Sequence, residues 1–109
     1  MKNIYFISDI HLDANNSDVT NKFIDFIDNK SPDMKELYIL GDLFESWTDD
    51  KYDIAQNNIV ISILKNISKS GTKIFLMHGN RDFLIGKQFS KTTGIEILPE
   101  NYIVNLDKS

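Results

Sequence analysis

A chain of 109 residues, 41% hydrophobic and 26% charged, has the length and composition of one small globular domain. Its net charge of −4 gives no basic footprint for nucleic acid, and the absence of cysteine excludes a disulfide framework and a thiolate metal site. Ile4 to Ile7 is too short for a signal-peptide core and no apolar run approaches the ~18 residues of a membrane span, so the expected address is the cytoplasm.

Strand and helix signals alternate along the chain. Ile4-Tyr5-Phe6-Ile7 is a continuous apolar run, as in a strand buried on both faces of a parallel sheet. Asn15-Asn16-Ser17-Asp18 offers helix N-caps, and Val19, Phe23, Phe26 and Ile27 then recur at helical spacing, with Ile24 widening the stripe. Ser31-Pro32-Asp33 ends that helix, and Leu37 to Leu40 is the second strand. A loop holding Trp47 and the acids Glu45, Asp49, Asp50 and Asp53 follows. The spacing predicts a helix over 54–69, with Val60, Ile63, Leu64 and Ile67 on one face and Ile59 and Ile61 broadening it, stopped by Gly71. Lys73 to Met77 reads as the third strand, Phe83 to Lys91 as a short helix, and Ile95 to Leu98 and Tyr102 to Leu106 as further strands. The β-α-β-α-β order implies an α/β fold with a parallel sheet, whose ligands bind beyond the carboxyl ends of the strands.

Chemistry gathers at those ends. Ser8-Asp9-Ile10-His11, Gly41-Asp42 and Gly79-Asn80-Arg81-Asp82 each follow an apolar strand. Each has an ordinary reading: Asp-x-His as a helix cap or turn, Gly-Asp as a turn dipeptide, and Asn80 as a turn residue beside an Arg81–Asp82 pair. Each also has a functional one. The period-two alternation of extended chain puts residues 9 and 11 on one side, where both could grip a cation. Asp42 could bridge two cations, Asn80 offers an amide oxygen, and Arg81 offers a planar fork of donors for phosphate. Repeated in order at three strand ends, the motifs favour the functional reading. Their hard-to-borderline donors suit Mn²⁺, Fe²⁺ or Mg²⁺.

Asp9-x-His11, Gly41-Asp42 and Gly79-Asn80 resemble the first three motifs of the calcineurin-like metallophosphoesterase superfamily. The longer segments from Tyr38 to Trp47 and from His78 to Lys87 are similar to its pyrophosphohydrolase branch in lipid A biosynthesis. Most of the superfamily has a histidine after the asparagine. Arg81 stands there in this chain, which agrees with that branch. The resemblance implies that Asp9 and His11 bind one metal, that Asp42 bridges two, and that Asn80 binds the second metal and, with Arg81, the substrate phosphate. It implies two Mn²⁺ ions per complete site, activating water and neutralising phosphoryl charge. It further implies the substrate UDP-2,3-diacylglucosamine, the products UMP and 2,3-diacylglucosamine 1-phosphate (lipid X), and peripheral contact with the cytoplasmic face of the inner membrane.

Family members are longer, and their second half carries further histidines in a Gly-His-x-His-type motif. This chain has His11 and His78 alone, and His78 reads as a strand-end histidine hydrogen-bonded nearby. The expectation is that residues 1–109 are the N-terminal part of a single domain, the first half of a two-sheet α/β sandwich. Such a part would hold a half-filled second metal sphere and an open apolar sheet face, and would have little activity by itself. The acidic loop is expected to be solvated over a packed Trp47, although Phe44 and Trp47 could also help dock an acyl chain or a membrane. Rival functions are a phosphoesterase acting on nucleotides or phosphoproteins, a phosphoryl-accepting receiver domain and a non-catalytic metal-binding remnant. Arg81 argues against the first. The lack of an acidic neighbour before Asp9, with Met77-His78 where a lysine would stand, argues against the second.

Overall fold

The computed structural model describes residues 3–99. Strands β1 (Asn3–Ile7), β2 (Met34–Ile39), β3 (Lys73–Leu76) and β4 (Glu96–Ile97) form one sheet in the order β1-β2-β3-β4, with every neighbouring pair parallel. Helices α1 (Ser17–Lys30), α2 (Asp50–Gln56), α3 (Asn58–Lys69) and α4 (Lys87–Thr93) fill the connections. The expected parallel β-α-β order is therefore the one adopted. The strand read over Tyr102–Leu106 lies outside the described residues.

Local chemistry explains the helix ends. Asn16 Oδ1 accepts from Val19 N at 3.4 Å, and Asp18 and Lys30 sit at the ends of α1 that favour their charges. A single 3₁₀ turn at Ser31–Asp33, with Pro32 inside it, leads into β2. Past α3, Gly71 takes φ +113°, a left-handed turn that a side chain would resist.

The sheet has two unlike faces. Leu37, Ile39, Ile74 and Leu76 point to the helices and are sealed against Phe23 and Ile27 of α1 and Val60, Leu64 and Ile67 of α3. Each such side chain contributes about 1.5–3 kcal/mol by leaving water. The opposite face carries a ladder of stacked rings, Phe6–Tyr38 at 5.0 Å and Tyr38–Phe75 at 4.8 Å. Ile4 and Phe6 on that face are 37% and 43% exposed. β1 is thus not buried on both faces as its apolar run suggested: every second residue is open.

Other expectations also need correction. The helix expected over 54–69 is two helices, broken at Asn57 (φ −109°, ψ 33°), whose backbone N and side-chain Nδ2 both donate to Asp53 O. Ile59 lies just past that break and is 62% exposed, so it does not widen the buried stripe. The helix expected to start at Phe83 starts at Lys87: Ile85 N turns back to the backbone O of Asp82 (3.2 Å), and Gly86 N is held by Asp50 Oδ1 (3.0 Å). Among the described residues no helix is long and apolar enough to cross a membrane.

Candidate metal centre

The pairing of β1 with β2 does not stop at the strand ends. Asp9 N donates to Gly41 O (3.2 Å), His11 N to Asp42 O (3.0 Å), Leu12 N to Leu43 O (2.8 Å) and Glu45 N to Leu12 O (2.8 Å). The segments bearing the first two motifs therefore run side by side. Asp9, His11 and Asp42 have φ of 54°, 56° and 52°, and they are the non-glycine residues with positive φ among those described. The two residues of the first motif meet through this left-handed backbone and not, as expected, through strand alternation. Such conformations cost about 1–3 kcal/mol each and persist where the surroundings over-determine them. Among the described residues, this conformation outside glycine falls on the three candidate donors.

One donor atom from each of Asp9, His11 and Asp42 lies within 4.8 Å of the others. His11 Nε2 is 3.9 Å from Asp9 Oδ1. Two carboxylates and an imidazole at this spacing could hold a divalent cation.

The third motif is locked to the second. Gly41 (φ +109°) would place a Cβ 3.1 Å from Gly79 Cα, and a Cβ on Gly79 would overlap Asp42 N and Oδ1. Only paired glycines allow this approach. Arg81 N donates to Asp42 Oδ1 at 2.8 Å. Asn80 therefore lies between two residues that touch Asp42. It is exposed and lines a cleft with Met77, His78, Gly79 and Phe83. The Arg81 guanidinium is exposed, with Nη1 3.5 Å from Glu45 Oε2.

Asp82, which the ordinary reading of this motif paired with Arg81, is instead fully buried. Its Oδ1 accepts from Gly79 N (2.9 Å) and Asp42 N (3.2 Å), and its Oδ2 from Leu43 N (2.7 Å) and Phe44 N (3.2 Å). One carboxylate thereby ties the loop after β3 to the loop after β2. Neither this role nor that of Glu45, whose Oε1 lies 2.9 Å from His11 Nδ1, was found from sequence. The available signal was an acid three residues after Asp42 and another two after Asn80.

His78 has the ordinary role expected of it: Nε2 donates to Ile85 O at 2.7 Å, which occupies that nitrogen. The acidic loop is less solvated than expected. Asp53 is buried and accepts from Thr48 N, Thr48 Oγ1 and Asp49 N, Asp49 caps α2, and Asp50 accepts from Trp47 Nε1, Gly86 N and Phe89 N. Trp47 packs as expected, 4.6 Å from Phe44 and 5.3 Å from Phe89 between ring centroids. Phe44 is fully buried and Trp47 is 3% exposed, so neither ring is available to dock an acyl chain or a membrane.

Comparison with known proteins agrees with this geometry. The family model "Calcineurin-like phosphoesterase" matches residues 2–109. A protein of Haemophilus influenzae (strain PittGG), named UDP-2,3-diacylglucosamine hydrolase, is 43% identical over 97% of this chain and 45% of its own length. One of the same name from Pseudomonas aeruginosa (strain UCBPP-PA14) is 46% identical over 94% of this chain and 43% of its own length. The chain thus spans less than half the length of the curated relatives it matches. Among solved structures, the Pseudomonas putida nuclease MPE shares the fold, with a TM-score of 0.57 at 16% identity over 93% of this chain and 50% of the nuclease. Membership implies a divalent-metal centre, for which Asp9, His11 and Asp42 supply a fitting donor set. With the family model matching almost from end to end, the chain belongs to the calcineurin-like phosphoesterases.

Proposed function

We propose that this chain carries part of the centre of a pyrophosphohydrolase that cleaves UDP-2,3-diacylglucosamine to UMP and 2,3-diacylglucosamine 1-phosphate. The observation that carries the reading is an exposed Arg81 guanidinium 3.5 Å from Glu45, whose other oxygen meets His11 of the donor cluster. The 43–46% identity to proteins named for that substrate supports it.

In this reading Asp9 and His11 would hold one cation, Asp42 would serve both cations, and the Asn80 amide oxygen would serve the second. Mn²⁺ is the proposed ion, since a mix of carboxylate, imidazole and amide oxygen suits it. When bound, the ions supply an activated water and Lewis-acid stabilisation of the phosphoryl group. The chain's own contribution is orientation. Asp42 Oδ1 accepts from Arg81 N at 2.8 Å, so the backbone that carries the arginine is tied to this carboxylate. The guanidinium fork then meets phosphate oxygens as charge builds on them. Four donors fall short of two full spheres, which fits a chain spanning 43–45% of those relatives. The amphiphilic substrate favours work at the cytoplasmic face of a membrane.

The test uses the chain itself. After dialysis against Mn²⁺, elemental analysis should find bound metal in the wild type and none in Asp42→Ala. The Mn²⁺-loaded chain should bind UMP more tightly than uridine, and Arg81→Ala should remove the difference. Equal binding of UMP and uridine by the loaded wild type would overturn the phosphate reading.

A further inference from the structure

Glu45 divides its carboxylate between two neighbours: Oε1 lies 2.9 Å from His11 Nδ1 and Oε2 lies 3.5 Å from Arg81 Nη1. A pair with an exposed arginine at that distance contributes little to stability, so the ion pair does not explain the residue. The histidine contact is different. An ionised carboxylate has no hydrogen to give, so in the neutral ring the hydrogen-bond network assigns the proton to His11 Nδ1. The lone pair then sits on Nε2, the nitrogen facing Asp9 at 3.9 Å.

The backbone prepares this contact. Glu45 N donates to Leu12 O at 2.8 Å, and Leu12 and Phe44 form a parallel bridge, so Glu45 is held beside the residue that follows His11. Phe44 is fully buried and its N–H is held by Asp82, which anchors the same loop from below. His11 itself sits in the left-handed region at φ 56°.

We propose that Glu45 is a positioning residue that fixes the His11 ring as the Nδ1–H tautomer, leaving Nε2 free to ligate the cation. The inference rests on the metal reading of His11 given above. A carboxylate behind a ligating histidine sets the ring's orientation and raises its basicity, and removing such a partner typically weakens metal affinity about 10–100-fold.

The experiment is Mn²⁺ titration by calorimetry of the wild type, Glu45→Ala, Glu45→Gln and Asp28→Asn, with ring-nitrogen NMR of His11 in the metal-free chain. Glu45→Ala should bind Mn²⁺ about 10–100-fold more weakly. Glu45→Gln, whose amide oxygen still accepts from Nδ1–H, should recover most of that loss, and Asp28→Asn, exposed on α1, should leave Mn²⁺ affinity unchanged. The spectrum should show the neutral wild-type ring protonated on Nδ1 and a shift toward Nε2–H in Glu45→Ala. Glu45→Gln is close in shape to the wild type, so it gives a reading even where the alanine variant folds poorly. Wild-type Mn²⁺ binding that Glu45→Ala leaves intact, or a wild-type ring protonated on Nε2, overturns the role of Glu45 alone. A wild type that binds no Mn²⁺ overturns the metal reading and this role with it.

Discussion

Replacing Asp82 by asparagine should unfold this chain far more readily than its chemical conservatism suggests. Each Asp82 oxygen accepts two backbone N–H groups: Gly79 and Asp42 on Oδ1, Leu43 and Phe44 on Oδ2. An asparagine amide has one oxygen and one NH₂. Whichever way it is turned, two of those N–H groups face a donor in place of an acceptor, and the site is fully buried, so water cannot replace the lost partner. Hydrogen bonds to a charged group contribute about 1.5–3 kcal/mol each, so losing two costs about 3–6 kcal/mol. That is a large part of the 5–15 kcal/mol that holds a typical domain folded. With an unfolding entropy of about 2.1 cal/mol/K per residue, a chain of 109 residues should melt lower by on the order of 10 °C or more. Urea denaturation read by circular dichroism measures the difference directly, and Asp28→Asn, at an exposed position on α1, should stay within about 0.5 kcal/mol of the wild type. An Asp82→Asn midpoint within about 1 kcal/mol of the wild type would refute the reasoning, because it would mean the four contacts are not jointly made in solution.

Strain at the ligands gives a second prediction. In the metal-free chain Asp9→Gly should be more stable than Asp9→Ala by about 1 kcal/mol, since glycine accepts φ 54° freely while alanine does not, and both should lose Mn²⁺ binding. Equal melting temperatures for the two variants would argue that Asp9 is not held in that conformation. Gly79→Ala should abolish Mn²⁺ binding in calorimetry, because the added methyl overlaps Asp42. The single tryptophan, Trp47, should emit at short wavelength and stay unshifted on adding phospholipid vesicles; a vesicle-dependent shift would mean its packing against Phe44 and Phe89 opens. Phe44→Ala should cost about 3–5 kcal/mol in denaturant titration, as expected for emptying a fully buried aromatic site.

The parts of this molecule legible in the sequence are those governed by local period and by covalent limits. Apolar runs marked the strands, and Asn16, Pro32 and Gly71 marked ends or turns through their own chemistry. The candidate donors stood out because their types recur at three strand ends, and the fold brings Asp9, His11 and Asp42 within 4.8 Å of one another. Illegible were the features made by distant partners. The break at Asn57 depends on a turn that the apolar pattern runs straight through, and the open alternation of β1 depends on which face the helices cover. The roles of Asp82 and Glu45 depend on contacts across 38–40 and 34 residues. An aspartate beside an arginine reads as its salt-bridge partner until the fold brings three other N–H groups from forty residues upstream.

The reach of those contacts also sets when the centre can exist. An all-parallel sheet has no hairpin to start from, so β1, β2 and β3 must find one another across the intervening helices before Asp9, Asp42 and Asn80 share a neighbourhood. Closing such long loops is slow, because the entropy of closure is lost before each non-local pairing repays it. The Asp82 carboxylate closes only on a chain that has already completed this step. Metal capture by Asp9, His11 and Asp42 during refolding should therefore lag behind helix formation, and its time course would report the pairing of β1 with β2.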